Sequence, residues 1–305
     1  MAFFDWNQAI PNIPNEWRST EGKGIKIAIL DSGANLINPT LQHLDQPGHK
    51  FHVARPDYKL STALAVGGGN DSVLDQASFG EMHGTSCLSV LAGKPESSTN
   101  GVKGVAPQAE IYIIKIMDSA AMYRKGFILD AIELALKLKV DVITCAILPS
   151  FAGTYTEGRK DVIFNQLRST NTALVTTLIN TALADTLVSL RFPSDQPESI
   201  VTGVAQVPVL NSNPSTDLLF DKISFLTPPV RTGSFRVMAS EPYPLTTLSS
   251  SVTTTALAGV IALAMSHLQR RPNRDELVSL LTDTFGQSFN AAQMIQQTSP
   301  AFFHK

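Results

Sequence analysis

Residues 25–33 read Ile-Lys-Ile-Ala-Ile-Leu-Asp-Ser-Gly, and this stretch decides the fold. Its almost unbroken apolar, β-branched run over 25–30 is the pattern of a parallel strand covered on both faces. The run stops at Asp31, where Ser32 and Gly33 supply a turn. Comparable runs recur at 110–117, 140–148, 173–179 and 199–206. Segments of helical period lie between them. In 126–138 Phe127, Ile128, Ala131, Leu134, Ala135 and Leu138 share one face, and 157–168 reads as a more polar helix. Strand–helix alternation of this kind predicts an α/β fold: a doubly wound, mostly parallel sheet with helices on both faces. Near the C-terminus, Pro272 and Asn273 followed by Glu276 form a helix start with a capping box.

The chain has 305 residues, enough for one large α/β domain. We read 1–305 as a single domain, with 1–23 as an N-terminal segment and the polar, Gly-rich stretch 56–80 as a surface-loop insertion. Residues 207–250, rich in Pro, Ser and Thr, read as short strands and turns. With 24 basic and 26 acidic residues the formal charge is −2, which gives no general pull toward nucleic acid or anionic membrane. The densest basic cluster, Arg270, Arg271 and Arg274, suits a helix end, where cations complement the dipole. Two cysteines, Cys87 and Cys145, make no disulfide framework and are expected to be buried free thiols. The stretch 251–265 is punctuated by Thr and Ser and suits a buried helix better than a membrane span. No basic-then-apolar leader is visible at the start, so the expected location is cytoplasmic; a secreted mature domain would read the same.

In a doubly wound sheet, sites sit beyond the carboxyl ends of the strands, where the following helices begin. Asp31 follows the first strand and Asn180 the fourth, while His83 and Ser251 each open a helix. Four residues far apart in sequence are therefore expected at one edge. A serine hydroxyl needs a neighbouring base, which an imidazole near its ordinary pKa provides. A carboxylate can hold that imidazole in the right tautomer, and a side-chain amide with a helix-terminal N–H can stabilise an oxyanion. Singly, each residue has a plainer explanation: Asp31 as a turn residue, His83 as an interior histidine, Ser251 as a helix cap. Their joint placement favours chemistry. Gly67-Gly68-Gly69 lacks a strand-to-helix setting and reads as surface loop rather than phosphate cradle, and the absence of a Gly-rich phosphate turn after the first strand counts against a nucleotide-binding domain.

These residues lie in peptides that resemble the subtilisin-like serine proteases. GIKIAILDSG is similar to that family's aspartate motif, HGTSCLSVLAG to its histidine motif, and NGVKGVAPQAEIYIIKIM to the turn and strand that follow. FPSDQPESIVTGVAQ resembles the segment after the oxyanion asparagine, and SSSVTTTALAGVIAL the nucleophile motif. The order Asp, His, Ser is that of subtilisin. The resemblance implies a triad of Asp31, His83 and Ser251, with Asn180 as oxyanion donor. It further implies serine endopeptidase activity on a peptide or protein substrate without a cofactor.

Departures narrow that expectation. The nucleophile motif has lost its glycine and proline in Ser249-Ser250-Ser251-Val252-Thr253-Thr254-Thr255. Ile179 stands where the family has a pocket-lining glycine. Ala146-Ile147-Leu148-Pro149 replaces a Ser-Leu-Gly-Gly edge that pairs with extended substrate, and its proline cannot donate to a strand. The expected substrate-binding residues are therefore Ala146, Ile147, Leu148 and Ile179 around a constricted groove. A calcium site that many relatives hold maps to Ser98 and Thr40, a poor oxygen set, so no metal is expected. Two readings follow: a peptidase restricted to a particular peptide or protein, as in peptide maturation, or a catalytically impaired pseudoprotease that binds or scaffolds. An inhibitory or activating partner is compatible with either.

Overall fold

The stretch 25–33 forms the central strand β1 (Lys26–Asp31) of a seven-stranded sheet in a computed structural model of the chain. Its partners are β2 (Lys50–His52), β3 (Glu110–Lys115), β4 (Val142–Cys145), β5 (Ala173–Thr177), β6 (Ser199–Val204) and β7 (Phe225–Thr227). The structure describes residues 4–10, 12–55, 58–60, 73–75, 83–95, 101–117, 123–149, 156–177, 192–204, 225–227, 232–235, 242–245 and 250–285. The strand order is β2-β3-β1-β4-β5-β6-β7, and every neighbouring pair is parallel. The chain first adds strands on one side of β1 and then crosses to the other at β4. That reversal leaves a crevice at the carboxyl ends of β1 and β4.

Side-chain alternation along β1 divides the core into two layers. Ile27 and Ile29 pack with helices α1 (His83–Ala92) and α4 (Ser250–Leu268). Ala28 and Leu30 face α2 (Lys125–Lys137) and α3 (Glu157–Ser169). Asp31 continues the odd-numbered side, so its carboxylate falls toward the layer that holds α1. The observed elements follow the sequence pattern closely. The apolar run predicted to continue to residue 148 leaves the sheet after Cys145, and 146–149 carries no strand pairing. Helix α5 (Arg274–Phe285) starts as its sequence predicts: Asn273 Oδ1 accepts the Glu276 N–H at 3.0 Å, and Glu276 Oε2 accepts the Asn273 N–H at 2.9 Å.

Three readings are refined. Within the stretch taken as a surface loop, Leu74 is half exposed but Val73 and Asp75 are buried: the Val73 carbonyl accepts from Ala34 just past β1, and Asp75 accepts from Ser32 there and from Thr85 on α1. Residues 251–268 are long and apolar enough to cross a membrane, yet 83% of that stretch is buried in the fold, where α4 is a core helix. The basic cluster is paired: Arg270 with Glu276, Arg274 with Asp275, and Arg271 with Asp141 and the Lys139 carbonyl. The N-terminal segment packs on the same core through Trp6 and Trp17, and Asn7 Nδ2 donates to the Val105 carbonyl at 2.9 Å.

Candidate active site

Asp31 is the last residue of β1 and His83 the first of α1, and the sheet edge brings them together. His83 Nδ1 lies 2.7 Å from Asp31 Oδ1, with the aspartate side chain only 2% exposed and the histidine 28%. A carboxylate on Nδ1 fixes the tautomer with its proton there and leaves Nε2 as the basic nitrogen. Asp31 Oδ1 also accepts the Ser32 N–H at 2.7 Å, while Oδ2 is buried with no hydrogen-bond partner among the described residues.

Ser251 is the second residue of α4, in the first turn, whose amides have no partner within the helix. Its Oγ donates to the Ala146 carbonyl at 3.0 Å, just past the end of β4. The hydroxyl therefore sits at the crevice predicted by the strand order. Of the expected substrate-binding residues, Ala146 and Ile147 are buried and Leu148 is partly exposed; Ile147 packs into the α2–α3 layer. Ile179 and Asn180 lie outside the described residues, as do Ser98 and Ser249. Thr40 is buried, and its carbonyl accepts the Lys94 N–H at 3.0 Å.

Burial alone would lower the His83 pKa, but contact with the Asp31 carboxylate outweighs it, with Cys87 adding to the rise; the net value is well above the ordinary one. A group raised on folding contributes stability in full below its unfolded pKa of about 6.5, and loses it as pH climbs through the folded value. Replacing Asp31 by Asn is expected to move the His83 titration to lower pH, measured from its imidazole NMR shifts. An unmoved titration would refute the carboxylate as the cause.

Three features had no clear signal in the sequence. Cys87, one helical turn after His83, places its Sγ 3.9 Å from His83 Nδ1, and the i, i+4 spacing could have announced it. Asp31, His83 and Cys87 each bring a possible ligand atom within 4.8 Å of the others. However, Asp31 Oδ1 and His83 Nδ1 engage each other, and burial pushes the Cys87 thiol up, away from the thiolate a metal requires. Both cysteines are free and buried, as expected, and burial raises Cys145 to about 12. The other two features, Asp75 and Lys115, are buried charged residues beside the site.

The parallel doubly wound sheet thus carries an Asp–His pair at the end of β1 and a helix-opening serine just past the end of β4. The chain belongs to the subtilase family, whose model, that of peptidase family S8, matches residues 22–215. It is 30% identical over 139 residues to an intracellular serine protease of Paenibacillus polymyxa, covering 44% of this chain and 36% of that protein. It is 28% identical over 138 residues to the major intracellular serine protease of Bacillus subtilis (strain 168), covering 44% and 37%. The alignments thus span little more than a third of these relatives. Among solved structures, the prenylagaramide maturation protease PagA superposes with a TM-score of 0.61 at 18% identity, covering 90% of this chain and 88% of that one. The PatG macrocyclase in complex with peptide gives 0.63 at 18% identity, covering 93% and 90%. These likenesses show the subtilisin-like fold.

Proposed function

We propose that this protein is a serine endopeptidase that cleaves a restricted peptide or protein substrate, in the manner of a maturation protease. The observation that carries the reading is the 2.7 Å contact of His83 with a buried Asp31 at the switch-point crevice where Ser251 opens α4. In the proposed reaction the Ser251 hydroxyl turns from the Ala146 carbonyl to Nε2 of His83 in its neutral form, present as pH climbs through the raised His83 pKa, and Nε2 takes the proton as Oγ attacks the scissile carbonyl carbon. The main-chain N–H of an extended substrate replaces the hydroxyl on Ala146. The Ser251 N–H at the helix terminus and the Asn180 amide hold the oxyanion. His83 then returns its proton to the leaving amine, and water hydrolyses the acyl-enzyme by the same route. Subtilase membership and the intracellular proteases among its relatives support this assignment. The restriction rests on Ile179 and Pro149, which replace glycines of the family's groove.

A fluorophosphonate probe tests the reading, because it reacts only with a serine activated by its surroundings. Covalent labelling is expected on the peptide that contains Ser251, located by mass spectrometry. Folded protein that stays unlabelled would overturn it.

A further inference from the structure

The stretch Val73-Leu74-Asp75 crosses the end of β1 beneath the Asp–His pair and is fastened at each of its three residues. The Val73 carbonyl accepts the Ala34 N–H at 2.6 Å, and the Leu74 carbonyl accepts the Lys115 ammonium at 2.6 Å. Asp75, 3% exposed, divides its carboxylate between the two elements that carry the pair. Oδ1 accepts the Ser32 hydroxyl at 2.6 Å, one residue beyond Asp31. Oδ2 accepts both the N–H and the hydroxyl of Thr85, at 2.8 and 2.6 Å, two residues beyond His83. The link is closed by Ser32 Oγ, which accepts the Gly84 N–H at 2.9 Å while its own proton goes to the Asp75 carboxylate, an acceptor when ionised. Two first-turn amides of α1, which lack partners in the helix, are thereby satisfied from outside it.

We propose that Asp75 is a positioning residue for the hydrolysis proposed above, on which this inference rests: it sets the spacing of Asp31 and His83 by holding the end of β1 and the start of α1 in one carboxylate. Burial, with Asp31 beside it, raises the Asp75 pKa, and three converging donors and the positive end of α1 oppose that rise by favouring its anion. The neighbouring charged and titratable groups are Asp31 on β1, Lys115 on β3, His83 and Cys87 on α1, and Tyr123, which is hydrogen-bonded with Ser32. Burial lowers the Lys115 pKa by more than Asp75 raises it, and the ammonium is held by its bond to the Leu74 carbonyl.

Asp75→Asn keeps the shape, but removes the charge and presents an amide group to donors. The expected result is a kcat reduced about 10- to 100-fold with KM changed less than about threefold, as for a misplaced but intact reacting group. The acid limb of the pH profile and the His83 imidazole titration are both expected to shift to lower pH, because an anion beside the imidazolium is lost. Thr85→Val, which retains the N–H contact but loses the hydroxyl, is expected to shift both readouts the same way by a smaller amount, with Thr85→Ser restoring them. If Asp75→Asn does not fold, the Thr85 pair decides. A lowered melting temperature with unchanged His83 titration would make Asp75 merely structural and overturn the proposal. The titration is read on folded protein whether or not it hydrolyses peptides. An inert wild type would therefore defeat the peptidase reading, while an unmoved titration would defeat this one.

Discussion

Ser251→Ala is expected to lower kcat on the order of 10⁶-fold, the size of loss found when a serine–histidine unit is deprived of its nucleophile. The protein should remain folded. The substitution removes one hydroxyl from a partly buried position, and with it a single 3.0 Å bond to the Ala146 carbonyl, worth about 1 kcal/mol. The contrast between a large kinetic loss and a small stability loss separates a nucleophile from a helix cap, which would give the reverse. A second measurement makes the case sharper. If Ser251 and His83 act as one unit, the double variant with His83→Ala should be no slower than either single variant. Losses that multiply would mean that the two residues act separately and would refute the triad.

What was legible in the sequence follows from which interactions are periodic. The strands and the main helices are specified by runs of apolar residues that repeat across many positions, so β1, α2, α3 and the capped start of α5 could be read locally. The placement of Asp31, His83 and Ser251 on the fold was legible for a different reason: each ends or opens such an element, and in a parallel sheet those ends share an edge. Asp75 was not legible. Its neighbours in the chain form no repeating pattern, and its partners Ser32 and Thr85 lie 43 and 10 residues away, joined only once the sheet and α1 are docked. A polar stretch in which one carboxylate is buried looks, in sequence, the same as a polar stretch on the surface. Strand ends were the other weak point. The run 140–148 stays apolar past Cys145, but Ala146 leaves the ladder and Ile147 remains buried against α2 and α3. Apolarity reports burial there rather than pairing.

The Asp31–His83 geometry also rests on a close approach that only glycine permits. A Cβ on Gly84 would stand 2.1 Å from the Gly33 carbonyl oxygen and 3.1 Å from Asp31 Oδ1. Gly84→Ala therefore sets two effects against each other. Alanine is the better helix former by about 1 kcal/mol, which favours the variant. The clash opposes it and cannot be relieved by rotating a side chain, because its nearest atom is backbone. Nor can Gly33 withdraw freely: it holds a φ of +130°, its own added Cβ would meet the Val73 carbonyl at 2.3 Å, and Ala34 next to it is bonded to that same carbonyl. Relief must come from displacing the start of α1, which begins with His83. Overpacking of this kind costs about 1–3 kcal/mol, more than the gain in helix propensity, so chemical denaturation should show a net loss of stability. A shift of His83 by about 1 Å from Asp31 should lower kcat/KM by about 10²-fold, measured on a small peptide ester under conditions where the variant is still folded. Gly84→Ala with wild-type stability and turnover would mean that β1 and α1 are not in such close contact, and that the 2.7 Å pairing of Asp31 with His83 does not depend on it.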